Sequence, residues 1–150
     1  MTKQEFEHVL EFAIKREEEA VAFYNELKGH ANFHSQKEMI EEIENMEKGH
    51  IIAIQNIQKK GLEQFEYSER KAINVSNYLV ANYDKDNLTF ENIIILAMKR
   101  EEMAYKLYKD LSLQFTGTQL ESLFRKLADE EIKHKLHFED IYNNEVAKDN

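Results

Sequence analysis

The chain has 150 residues, with 29 acidic against 20 basic side chains and a formal charge of −9. That length suits one domain of about 100–150 residues, and the charge repels polyanions such as nucleic acid. No cysteine is present, which excludes disulfides, thiol catalysis and Cys-ligated iron or zinc within these residues. No apolar run approaches the roughly 20 residues of a bilayer span. The start Met1-Thr2-Lys3-Gln4-Glu5 lacks a signal-peptide apolar region, so a soluble, cytoplasmic protein is expected. Without proline and with only four glycines, the composition favours long helices and the all-α class.

In chain order, Thr2-x-x-Glu5 is a capping box that starts a first helix near residue 3. Its stripe at three- and four-residue steps is Phe6, Val9, Leu10, Ala13, Glu17, Ala20, Tyr24 and Leu27, and Gly29 ends it. Ser35-x-x-Glu38 predicts the start of a second helix with the stripe Ile40, Ile43, Glu47, His50, Ile54 and Ile57, ending near Gly61. Residues 61–88 carry no sustained helical stripe, although a strand over Ile73–Val80 is suggested by its apolar character. A third helix starts near Thr89 or Phe90 with the stripe Phe90, Ile93, Ile94, Ala97, Glu101, Ala104, Tyr108 and Leu111, and ends before Gly117. Thr118-x-x-Glu121 opens the fourth, whose stripe is Leu120, Leu123, Phe124, Leu127, Glu131, His134, Phe138 and Ile141. The polar tail 143–150 is expected to fray.

Carboxylates and imidazoles occupy stripe positions where leucine or isoleucine is expected. A buried ionised carboxylate is costly unless it is paired or bound to a metal, and a repeat supplies the partners. A shift of 84 residues carries Ala13, Glu17, Ala20 and Tyr24 onto Ala97, Glu101, Ala104 and Tyr108, and Glu47 and His50 onto Glu131 and His134. Two copies of one half-site are present. One Glu from each of two helices and Glu-x-x-His from each of the other two form the inward-facing ligand set of ferritin-like dinuclear bundles. The expected fold is therefore an all-α, ferritin-like four-helix bundle in one domain, residues 1–150, with residues 61–88 as the long crossover between helices 2 and 3. Glu5-x-x-His8 repeats the spacing but lies off the stripe, and His30 and His34 fall beside a loop, so all four are assigned to the surface.

The motifs Ala13-x-x-x-Glu17-x-x-Ala20-x-x-x-Tyr24, Glu47-x-x-His50, Ala97-x-x-x-Glu101-x-x-Ala104-x-x-x-Tyr108 and Glu131-x-x-His134 cover nearly the whole chain. Together they resemble the ferritin-like domain of the rubrerythrin family. The resemblance implies two iron ions per chain, bridged by Glu47 and Glu131, with Glu17, Glu101, His50 and His134 as terminal ligands. It also implies reduction of hydrogen peroxide or dioxygen with electrons from an external donor, a rubredoxin-like protein or a flavoprotein. Rubrerythrins commonly carry a four-cysteine rubredoxin-like domain, which has no counterpart in these residues. Peroxide-reducing members commonly have a further Glu where this chain has Met98; the aligned first-half residue is Ile14.

Oxygen and imidazole donors also suit manganese and zinc. The rival functions are therefore a ferroxidase or iron-handling protein and a non-catalytic bundle stapled by zinc. Tyr24 and Tyr108 lie two turns beyond the lone glutamates on the same face. Each is a candidate to hydrogen-bond a ligand, or a core aromatic whose hydroxyl finds one partner. The crossover carries Leu62, Phe65, Tyr67, Ile73, Val75, Tyr78, Leu79, Val80 and Tyr83, more apolar surface than one bundle readily covers, so a homodimer with the crossover at or near the interface is expected.

Overall fold

The computed structural model describes residues 1–60, 66–81 and 89–146. It divides into two compact units, Met1–Val75 and Ser76–Asn150, and each is a helical hairpin with short turns attached.

In the first unit, α1 spans Lys3–Leu27 and α2 spans Lys37–Lys60. The α1 capping box forms as expected. Thr2 Oγ1 accepts from the Glu5 amide at 3.0 Å, and the Glu5 carboxylate accepts from the Thr2 amide at 3.3 Å, satisfying two of the helix's first free donors. Every residue predicted for its stripe is buried, and Phe23 joins them. The start of α2 differs from expectation. It grows directly out of a 3-10 helix, Ala31–Gln36, that contains Ser35, so Ser35 is not the cap. Such tight turns often lead into α-helices because they already hold near-helical backbone angles. The helices run antiparallel: Lys28, just past α1, reaches Glu44 early in α2, while Glu17 in mid-α1 meets Glu47 and His50. Phe6, Leu10, Phe33, Ile40 and Ile54 are fully buried between them.

One position on α2 is not explained by packing. Gly49 is exposed in mid-helix, and a Cβ there would meet no atom within 4 Å. Glycine in a helix interior costs about 1 kcal/mol relative to alanine. Gly49→Ala should therefore raise the unfolding free energy by roughly that amount, read as a higher denaturant midpoint at unchanged slope. Destabilisation would show that another backbone approaches this face.

In the second unit, α3 spans Phe90–Gln114 and α4 spans Gln119–Ile141. Thr89 caps α3, its hydroxyl accepting from the Asn92 amide at 3.1 Å. Between the helices Gly117 takes φ +83°, the left-handed region that other residues rarely adopt. At α4 the expected box is rearranged. Thr118 Oγ1 accepts from the Leu120 amide at 3.2 Å, and the Glu121 carboxylate accepts from the Gly117 amide at 2.9 Å. Phe115, Phe124 and Phe138 are fully buried, and Tyr108 stacks on Phe124 with centroids 6.4 Å apart and planes 12° from parallel. Phe90, Ala104 and Leu123 of the predicted stripes are only half-buried, whereas Leu96, Leu107 and Ala128 complete the core.

The strand expected over Ile73–Val80 does not form. Val75–Tyr78 is a 3-10 helix, and a second one covers Tyr67–Glu69. The Met1 ammonium donates to the Arg70 carbonyl and the Phe6 and Tyr67 rings lie 5.7 Å apart, tying the Tyr67–Glu69 turn to the start of α1. In the second unit the Tyr78 hydroxyl donates to Asp110 on α3; burial, then that carboxylate, push the phenol's pKa up. Beyond α4, Tyr142–Val146 continues as one π-helical turn where fraying was expected. The predicted helix end at Gly61, the crossover residues Leu62, Phe65 and Tyr83, and the tail beyond Val146 lie outside the described residues.

Candidate metal centre

Each hairpin assembles one half-site at its middle. In the first, α1 supplies Glu17 and α2 supplies Glu47 and His50, one turn apart on the same face. All three are buried. His50 Nδ1 lies 3.6 Å from Glu17 Oε2 and 3.7 Å from Glu47 Oε2, and each residue offers a ligand atom within 4.8 Å of the others. In the second, α3 supplies Glu101 and α4 supplies Glu131 and His134, all buried, with His134 Nδ1 3.5 Å from Glu101 Oε2. Their ligand atoms also lie within 4.8 Å of one another. Both hairpins thus bring together the residues that the sequence placed there.

The donor chemistry fits a transition-metal ion. Atoms about 2.1 Å from a common ion lie roughly 3–3.5 Å from each other, close to the imidazole–carboxylate separations seen here. Electrostatics agree. Burial, then the charge of Glu47, raise the Glu17 pKa well above its ordinary value. For His50, burial alone would lower the pKa, but Glu17 and Glu47 together outweigh it and hold it at about 11. Both shifts favour the protonated forms of Glu17 and His50, so protons offset the carboxylate charge of the first half-site when no metal is bound. A divalent cation would take over that task.

Small or apolar residues stand one turn from Glu17 and Glu101 along α1 and α3. Ala13, Ala20 and Ala97 are buried, and Met98 and Ile14 are half-buried. Tyr24 and Tyr108 are fully buried, Tyr24 with its ring edge-on to Phe23 at 5.4 Å. Glu5 and His8 are exposed on α1 and His34 is exposed beside α2, while His30 is the half-buried residue ahead of the 3-10 turn. Glu5→Ala and His8→Ala should therefore leave the metal content of the purified chain unchanged, although Glu5→Ala loses its capping bond. Loss of one metal equivalent in either variant, read by elemental analysis, would mean that α1 turns another face to the site.

The rubrerythrin family model matches residues 8–142. The chain belongs to the rubrerythrin family. No curated protein and no solved structure matches it. The all-α, ferritin-like fold expected from the duplicated motifs is that of the family. The matched residues contain both half-sites of this rubrerythrin-family chain.

One buried acid escaped the sequence reading. Glu44, a turn before Glu47, is buried and pairs through Oε1 with Lys28 Nζ at 2.6 Å. Its signal was its place four residues after Ile40, on the flank of the α2 stripe.

Proposed function

We propose that the two half-sites complete one dinuclear non-haem iron centre, within a single domain of residues 1–150, that reduces hydrogen peroxide or dioxygen. The observation that carries this reading is the duplication: each hairpin buries two glutamates and a histidine at positions related by the 84-residue shift. Bound iron would supply the electron transfer, drawing electrons from an external rubredoxin-like or flavoprotein donor. The chain's part is to hold and shield the metals. Glu17, Glu101, His50 and His134 would hold the metals as terminal ligands, and Glu47 and Glu131 would be shared between them. Their burial limits competing water, and a cytoplasmic location goes with a soluble reductant of that kind.

Met98 favours a second reading, ferroxidase or iron-handling activity, since it stands where peroxide-reducing relatives commonly carry another carboxylate. Stopped-flow oxidation of the diferrous chain separates the two. Faster reaction with peroxide than with dioxygen supports the first; faster dioxygen consumption, or mineral beyond two irons per chain, supports the second. Stoichiometric zinc, rather than iron or manganese, in protein purified without added metal would sink both and leave a stapled bundle.

The chain also pairs, on this reading, as a homodimer with the crossover at its interface. Leu79 is 55% exposed, and Ile73, Val75 and Val80 are half-buried. Leu79→Glu tests this cleanly, whereas Tyr78→Glu would also break the bond to Asp110. Light scattering should report a dimer that Leu79→Glu weakens; a native monomer across micromolar concentrations contradicts the assignment.

A further inference from the structure

The two hairpins differ at one buried place next to their half-sites. In the first, Lys28, the C-cap residue of α1, places Nζ 2.6 Å from Oε1 of Glu44 on α2. Glu44 is 3% exposed and lies one turn before the ligand Glu47. The 84-residue shift carries Lys28 onto Ser112 and Glu44 onto Ala128. Lys28 is half-buried, whereas Ser112 and Ala128 are buried, but Ser112 Oγ donates to the Lys109 carbonyl of its own helix at 2.7 Å, and alanine has no polar side-chain atom. The cross-helix ion pair of the first hairpin is thus replaced in the second by two small side chains.

The difference has a mechanical consequence. A charge-assisted hydrogen bond is directional and holds its partners at one separation, whereas small side chains in van der Waals contact set a distance but no direction. Lys28 remains cationic: its bond to Glu44 raises its pKa, burial opposes this, and the charges of Glu44 and Glu41 add to it. The ammonium also sits at the α1 C-terminus, where the helix dipole favours positive charge. Glu44, buried beside it, has strong reason to keep its partner. The pair therefore fixes α1 against α2 one turn from Glu47, before any metal arrives. In the second hairpin no such bond spans the equivalent positions.

We propose that Lys28 and Glu44 are positioning residues that preorganise the first half-site, so that a divalent ion settles against Glu17 and His50 before a second reaches Glu101 and His134. The inference rests on the metal-binding reading above. Its test is titration of the metal-free full chain with zinc, following the imidazole resonances of His50 and His134 by NMR. His50 should respond over the first equivalent and His134 over the second, with stepwise affinities about tenfold apart, the effect of one charge-assisted bond. In Lys28→Ser/Glu44→Ala, which gives the first hairpin the second's own residues, both histidines should respond together. A purely structural pair would lower stability without changing the order. Simultaneous loading in the native chain, or His134 first, overturns the inference while leaving metal binding intact; no response from either histidine overturns both. Glu44→Gln, which keeps the shape and removes the charge, gives a measurement independent of metal. Amide exchange in the last turn of α1 should quicken in the metal-free variant, and unchanged exchange overturns the clamp even if the double variant fails to fold.

Discussion

Glu47→Ala and Glu131→Ala should each abolish binding of a metal pair and with it most of the stabilisation that metal gives the chain. A ligand that binds only the native state adds about 2.7 kcal/mol at 100 times its Kd and about 4.1 kcal/mol at 1,000 times. The proposed bridging glutamates are the most sensitive positions, because each would contribute to both metal positions. The metal-free variants need not be weaker than the metal-free native chain. Glu47 is one cause of the raised Glu17 pKa, so removing it relieves a repulsion while leaving a small cavity. The expected signature is a loss of stability that appears only when metal is present. Elemental analysis with denaturant titration, with and without chelator, checks both halves of the claim. Two metals retained in both variants would remove the proposed centre.

The six candidate ligands were legible because each interrupts an apolar stripe at helical spacing, and because the interruption recurs after 84 residues. Burial of a charge demands partners, so the pattern carried its own chemistry. Glu44 was missed for a related reason. A buried helix face is about 100° wide or more, and a residue on its edge reads as surface until the neighbouring helix is known. Its partner Lys28 lies at the end of that other helix, where sequence spacing says nothing about reach. Phe23, Leu107 and Ala128 widen the stripes in the same way.

Turn chemistry was the less legible part. Ser35 had the spacing of a capping box, but the backbone before it was already turning as a 3-10 helix. Thr118 kept its cap while Glu121 reached past it to the amide of Gly117. In Ile73–Val80, the apolar character suggested a strand, yet strand propensity is realised only against a pairing neighbour. Asn74, Ser76 and Asn77 are turn formers, and the chain turns there instead.

Metal-free and metal-loaded chains should respond to pH with opposite signs. In the metal-free fold, Glu17 and His50 both have raised pKa values, Glu17 through burial and then Glu47, and His50 because its two carboxylate neighbours overcome burial. A group whose folded pKa exceeds its unfolded value stabilises fully below the unfolded value and ceases to as pH rises through the folded one. For His50 that window runs from 6.5 to about 11. Each extra proton held by the folded state is worth about 1.4 kcal/mol per pH unit, so metal-free stability should fall by roughly 1–3 kcal/mol between about pH 7 and 9. Metal binding reverses the dependence of the difference between the two forms. The ion must displace those protons, so its affinity, and the stability it adds, grow with pH. Denaturant midpoints of the stripped and loaded chains at the two pH values test this. A stripped midpoint that stays level or rises with pH would show that His50 carries no extra proton in the fold. A metal-dependent gain that fails to grow would show that the ligands give up no protons to the ion.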